Sequence, residues 1–204
     1  MGRTLKEKQT ISRKEQAVLT KKKIFDTTIY LIRKKGYNKI TIREICQTAE
    51  LSVGTFYLYF LSKDDVLLEL YRQVNEALLK ALPEGTAEER LISLVRAFYG
   101  QLEAQFDREL LTEICRASIS IGRDMLLSPG QPFYRALEQA AVDWEQETGC
   151  TDMERKKSQM LLQKLLLFLQ GHLYQWLLSE DRRLSAAQER CVSDLQEYLQ
   201  LLSG

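Results

Sequence analysis

The sequence predicts an all-α fold, on three observations. Only three prolines and ten glycines interrupt 204 residues, and no run of β-branched residues alternates with polar ones as a half-buried strand requires. Apolar residues recur at helical spacing along most of the chain. Capping boxes of the form Thr-x-x-Glu open three segments, at Thr41 and Glu44, Thr86 and Glu89, and Thr151 and Glu154.

Residues 1–20 are basic, with few large apolar side chains and no clear period, so they read as a mobile arm. The first helix is expected from Lys21 to Lys35, with Ile24, Phe25, Thr28, Leu31 and Ile32 on one face. Gly36 ends it, and Tyr37 supplies the apolar contact that accompanies a glycine cap. Thr41 then caps a short helix whose buried face is Ile42, Ile45, Cys46 and Ala49, with Ile40 and Ile45 as a hydrophobic staple. After Glu50 and Leu51, Ser52 caps a second short helix from Val53 to Phe60. Phe56, Tyr59 and Phe60 can face inward there, leaving Val53, Thr55, Tyr57 and Leu58 outside. Two helices joined by so short a turn form a helix-turn-helix, whose second member enters the major groove of DNA.

Charge supports that reading. Residues 1–63 hold 14 Lys or Arg against five acids, a surplus of +9, whereas the other 141 residues carry −8. A basic head on an acidic body suits one end touching phosphates.

Ser62 opens the next helix, which runs as a strut over 64–82 until Pro83, Glu84 and Gly85 break it. The Thr86 box starts a helix striped by Leu91, Leu94, Val95, Phe98, Leu102 and Phe106, and Asp107 caps another that loses its pattern at Ile121 and Gly122. The stretch to Pro132 reads as a loop over the helical body, where a ligand portal is expected, and a helix through Phe133, Leu137, Ala141 and Trp144 follows to Gly149. From the Thr151 box a long helix reaches about Ser179, apolar nearly all round in its second half. The last helix, Ser185 to Leu202, is striped by Val192, Leu195, Tyr198, Leu199 and Leu202.

The segment from Gly36 to Lys63 resembles the DNA-binding unit of the tetracycline-repressor (TetR) family. The residues that carry the resemblance are Gly36 and Tyr37, Thr41, Arg43 to Ile45, Ala49, Leu51 and Ser52, Gly54 to Tyr57, Tyr59 and Phe60, and Ser62 and Lys63. Two departures stand out. Glu50 replaces a frequent glycine, which costs about 1 kcal/mol if the turn is left-handed. Val53 and Leu58 are apolar where polar or aromatic residues are frequent, which tilts base reading toward thymine methyls and DNA shape.

The resemblance implies a three-helix helix-turn-helix DNA-binding domain over 21–65 and a helical effector-binding and dimerisation domain over 66–204. Phosphate contacts fall to Thr41, Arg43, Tyr57, Tyr59 and Lys63, whose hydroxyl, guanidinium, phenol and ammonium groups donate to phosphate oxygens. Tyr59 suits the core equally well. Base contacts fall to Val53, Gly54, Thr55 and Leu58. The implied partners are an operator in double-stranded DNA, a second copy of the chain and a small, largely apolar effector.

Effector candidates are Phe98, Tyr99, Leu102, Ile114, Cys115, Met125, Phe133, Trp144, Met160, Gln163, Leu167 and His172, all of which also suit a plain core. The last two helices imply a dimer through Leu166, Leu173, Leu177, Val192, Leu195, Tyr198, Leu199 and Leu202, unless they complete the chain's own core.

The expected function is a regulator, most often a repressor in this family, that leaves a palindromic operator when an effector binds. The alternative is a ligand-independent DNA-bound adaptor whose body recruits a protein partner. One histidine, no metal-ligand cluster, no glycine-rich phosphate loop and no nucleophile elbow argue against an enzyme, and no cofactor is expected. Four scattered cysteines without CxxC spacing, and no signal-peptide pattern, imply a cytoplasmic protein without membrane spans.

Overall fold

A computed structural model describes residues 12–78, 84–122, 126–149 and 157–203. Helices are the only regular elements among the described residues, and the chain divides into two units, Met1–Val66 and Leu67–Gly204.

In the first unit α1 spans Arg13–Lys35, so residues 13–20 of the expected arm are helical and only 1–11 lie outside the described residues. The cause is local. Ser12 accepts a bond from the Glu15 N–H at 3.2 Å, and the Glu15 carboxylate accepts one from the Ser12 N–H at 2.8 Å. This capping box starts about three turns of mostly exposed helix before the buried face begins at Ile24. Ile24, Thr28, Leu31 and Ile32 form the buried face, and Gly36, at φ 84°, ends the helix with its N–H on the Ile32 carbonyl. A 3-10 turn (Tyr37–Lys39) leads to α2 (Ile42–Thr48) and α3 (Val53–Tyr57). α2 packs on α1, and α3 on α2, around Ile24, Ile32, Tyr37, Ile45, Phe56 and Phe60.

Helix α4 (Lys63–Leu78) contains the division between units. The far end of the expected strut, 79–82, lies outside the described residues.

The second unit holds α5 (Ala87–Gln105), α6 (Arg108–Ile121), α7 (Pro132–Glu147), α8 (Lys157–Leu178) and α9 (Leu184–Ser203). Four of these close a ring, since α5 lies against α7 and α9, and α8 against the same two. Leu91, Leu94, Leu102, Leu137, Leu161, Leu165, Leu169 and Leu195 fill it, none more than 1% exposed. The Thr86 box and the Asp107 cap both form, whereas the Thr151 box lies outside the described residues.

Polar ties fix the helix ends. Arg90 bonds to Asp143 at 2.7 Å, and the Ala87 N–H donates to Glu147 at 2.7 Å. Arg108 donates to the carbonyls of Trp176, Leu177 and Asp181, each at 3.0 Å, and to that of Ser179, while stacking on the Trp176 ring. One guanidinium thereby satisfies carbonyls at the C-terminal end of α8 that the helix leaves without partners.

The ring corrects the expected dimer residues. Leu173, Val192, Leu195 and Leu199 are buried within the chain, at 8% exposure or less. Leu166, Leu177, Tyr198 and Leu202 are half-buried, and Tyr198 sits edge-on to Phe168. Because α9 lies against both α5 and α8, the Val192, Leu195 and Leu199 part of its apolar stripe goes into closing the ring. A different stripe stays open on α8: Met160, Lys164, Leu167, Gly171, Tyr174 and Leu178, spaced alternately by four and three residues.

Candidate nucleic-acid interface and effector cavity

The turn between α2 and α3 is set by a Schellman closure. The Leu51 N–H reaches the Cys46 carbonyl at 2.9 Å, and the Glu50 N–H reaches that of Gln47 at 3.2 Å. This forces Glu50 to φ 53°, the left-handed region that glycine enters without steric cost. The expected box at Thr41 forms only in part. Thr41 accepts from the Glu44 N–H at 3.2 Å, but the Glu44 carboxylate pairs with Lys35 at the end of α1.

Ser52 caps α3, accepting from the Thr55 N–H at 2.9 Å and sharing a hydroxyl bond with Thr55 at 2.8 Å. Phe56 anchors the helix from within, fully buried between Tyr57 and Phe60. With that side fixed, Val53 (41% exposed), Gly54, Tyr57 (51%) and Leu58 (79%) face solvent, and Thr55 is half-buried beside them. A Cβ on Gly54 would meet only the Ser52 hydroxyl, at 3.6 Å, so the fold does not need glycine there. The bare backbone leaves room for an approaching surface.

Thr41 and Arg43 are exposed at the start of α2, and Tyr59 is half-buried. The helix expected to reach Phe60 ends at Tyr57. Lys63 is placed differently from a free surface cation. Its ammonium donates to the carbonyls of Tyr37 at 2.9 Å and Ile40 at 3.3 Å, and burial pulls its pKa down. Leu61, 81% exposed and three residues beyond Leu58, escaped the sequence reading. Its position after the end of α3 gave no helical period to place it.

The second unit contains a cavity of about 340 Å³. Its walls are Phe98 of α5, Cys115, Ser118 and Ile119 of α6, Gly122, Leu126 and Leu127 of the following loop, and Gln170, Leu173 and Tyr174 of α8. Gly122, at φ 69°, ends α6 in the left-handed region and turns the chain into that loop. Of the expected effector residues, Phe98 and Cys115 line this cavity, and Met125 lies outside the described residues.

The others are corrected by depth. Tyr99, Leu102, Ile114, Phe133 and Trp144 are packed core, the Tyr99 hydroxyl donating to the Leu169 carbonyl at 2.9 Å. Met160, Gln163 and Leu167 face outward. The His172 ring Nε2 lies 2.9 Å from an Asp194 carboxylate oxygen, which makes it a tie between α8 and α9. Periodicity identified the inward faces but not which of them border space. Ser118, Ile119, Gly122, Leu126, Leu127, Gln170, Leu173 and Tyr174 come from three separate stretches with no shared local signal.

Among the described residues no group of three or more His, Cys, Asp or Glu side chains could hold a metal ion, and no helix is long and apolar enough to cross a membrane.

Residues 24–70 match the family of bacterial regulatory proteins called tetR. The fatty acid metabolism regulator protein of Bacillus subtilis (strain 168) is 25% identical over 96 residues, covering 45% of this chain and 50% of that protein. The HTH-type transcriptional repressor KstR of Mycolicibacterium smegmatis is 35% identical over 99 residues, covering 46% of this chain and 47% of that protein. The chain thus spans about half the length of the curated relatives it matches. Over most of its length the fold is similar to that of the transcriptional regulator FadR from Bacillus subtilis, solved in complex with stearoyl-CoA. The TM-score is 0.66 at 18% identity, with 85% of this chain and 96% of that one covered.

Proposed function

The chain belongs to the TetR family of bacterial regulatory proteins, and we propose that it acts as a homodimeric repressor of transcription, released from a palindromic operator by a small effector. The observation that carries the reading is α3. Phe56 is buried to hold it, while Val53, Gly54, Tyr57 and Leu58 are presented outward on a unit rich in exposed lysine and arginine.

In this reading Val53, Gly54, Thr55 and Leu58 meet base edges, and Thr41, Arg43, Tyr57, Tyr59 and Lys63 meet phosphates. A palindrome needs two reading helices about 34 Å apart, so a second copy is required. The α8 stripe of Met160, Leu167, Gly171, Tyr174 and Leu178 is the face for it, because knobs spaced four and three residues apart suit helix-to-helix packing. The cavity is the effector site. The Bacillus subtilis neighbour holds stearoyl-CoA, but about 340 Å³ lies at the small end of ligand pockets and suits a smaller molecule here. A coupling of about 1 to 3 kcal/mol between cavity and operator is enough for release.

Selection of bound duplexes from random DNA tests this reading, repeated with Val53→Ala and Tyr57→Phe. The expected result is a two-fold symmetric sequence whose preferred bases change with Val53→Ala, while Tyr57→Phe weakens all sequences alike. Recovery of no preferred duplex at low salt would overturn it.

The exposed Leu167 (59%) and Leu178 (88%) also suit a protein partner, which keeps the adaptor reading in view. Sedimentation of the purified chain separates the two. A dimer assigns the face to a second copy, and a monomer to something else.

A further inference from the structure

We infer, resting on the reading of α3 as the helix that enters the major groove, that the chain selects its operator by the C5 methyl group of thymine. That methyl is held against Val53 and Leu58, and hydrogen bonds to base edges play little part. The side chains that read purines are arginine or lysine for guanine and asparagine or glutamine for adenine, each making two bonds at once. From Leu51 to Ser62 the chain has none of these, and no acid either.

The polar groups that remain there are engaged or single. Ser52 and Thr55 share a hydroxyl bond at 2.8 Å, and Ser52 also accepts from the Thr55 N–H at 2.9 Å, so the pair serves the cap of α3. The Tyr57 phenol is one hydroxyl, where the purine-reading side chains use two groups. Just beyond, the Lys63 ammonium donates to the Tyr37 and Ile40 carbonyls. Arg43 and Gln47 are exposed, but on α2, the helix that crosses the phosphate backbone in this motif.

What α3 presents to a base edge is hydrocarbon, in the exposed side chains of Val53 and Leu58. Gly54 lies next to the first and one helical turn before the second, and a Cβ there would meet only the Ser52 hydroxyl, at 3.6 Å. Bare backbone thus adjoins both apolar side chains. Among the bases only thymine carries an apolar group into the major groove. Closing its methyl against Val53 and Leu58 removes hydrocarbon from water on both sides, which is worth about fourfold in affinity for each methyl. Any contact that residues 1–11, outside the described residues, make in the minor groove is blind to this methyl.

The test uses the full-length protein and the duplex it selects from random sequence. Each symmetric pair of thymines is replaced in turn by uracil, which removes the methyl and keeps every pairing group, phosphate and minor-groove atom. The same pairs are then replaced by 5-methylcytosine opposite inosine, which keeps the methyl and an A·T-like minor groove but exchanges donor and acceptor in the major groove. At one or more pairs uracil is expected to weaken binding about fifteenfold, the product of two methyls, and 5-methylcytosine to restore it to within about threefold. Val53→Ala or Leu58→Ala, at positions already exposed in the folded chain, is expected to cut that uracil penalty by at least about threefold.

Selected half-sites without thymine, indifference to uracil at every thymine, 5-methylcytosine binding as weakly as uracil, or a penalty that survives both substitutions would each overturn the inference and leave α3 as the reading helix. Selection of no duplex at all defeats the reading of α3 as well.

Discussion

The ammonium of Lys63 donates to the carbonyl of Tyr37 at 2.9 Å and sits 4.2 Å from the centre of that tyrosine's ring. A cation that opens α4 is thereby tied to the 3-10 turn leading into α2, with a second bond to Ile40 beside the Thr41 cap. Loss of this tie should be felt without DNA. Lys63→Ala is expected to destabilise the protein by about 1 to 2 kcal/mol, given partial exposure of the bonds it removes. It should also reduce the salt dependence of operator binding by about one unit of slope. Thermal unfolding and affinity measured across a salt series check the two effects separately, and an unchanged slope would leave Lys63 a structural role alone.

Glu50 occupies φ 53° at the helix-turn-helix corner because the closure onto Cys46 and Gln47 demands it. Glu50→Gly is expected to stabilise the protein by about 0.5 to 1 kcal/mol, the relief of left-handed strain being partly offset by the freer unfolded chain. Urea unfolding reads this directly. Destabilisation would mean that the contact with Lys23, 4.0 Å away, outweighs the strain.

The two apolar stripes near the C-terminus should behave oppositely. Leu167→Lys and Leu178→Lys alter the open face of α8 and are expected to shift the protein toward monomer in sedimentation equilibrium with little change in monomer stability. Leu195→Ala leaves a hole in the ring and is expected to cost about 2 to 5 kcal/mol. A dimer that survives both α8 substitutions would place the interface elsewhere.

Burial pushes the Cys191 thiol up to about 12, and burial also raises the neighbouring Tyr99 phenol. A raised folded-state pKa means that the native chain keeps a proton which the unfolded chain surrenders. The stability this contributes is complete below the ordinary thiol pKa of 9.0 and is lost as pH climbs toward 12. Cys191→Ala is therefore expected to lower stability modestly at pH 7 but to flatten its fall between pH 9 and 11. Denaturant midpoints across that range check it, and an unaltered slope would assign the alkaline loss to Tyr99.

The DNA-binding unit was legible in the sequence because its instructions are local. Caps at Thr41 and Ser52, the Phe56 anchor and the spacing to Ser62 each act within a few residues of themselves. The start of α1 was missed for a related reason: the box at Ser12 and Glu15 is local too, but the helix it opens has no apolar period for about three turns. In the second unit the stripe of Val192, Leu195 and Leu199 correctly announced a buried face, yet nothing in it says whether the burying surface is the same chain or another. The cavity is harder still. Phe98, Ser118, Leu127 and Tyr174 are neighbours only through the arrangement of α5, α6, a loop and α8, and their side chains look like any other core.

Arg108 holds the first turn of α6 to the last turn of α8, and its grip involves four carbonyls at once. The cavity lies two to three turns further along α6, at Cys115, Ser118 and Ile119, and within about two turns along α8, at Gln170, Leu173 and Tyr174. A pair of rods pinned at one end can spread only at the other, as tongs do. A guest wedged between α6 and α8 would lever them about Arg108, and the largest excursion would fall at Gly122, where α6 gives way to the loop.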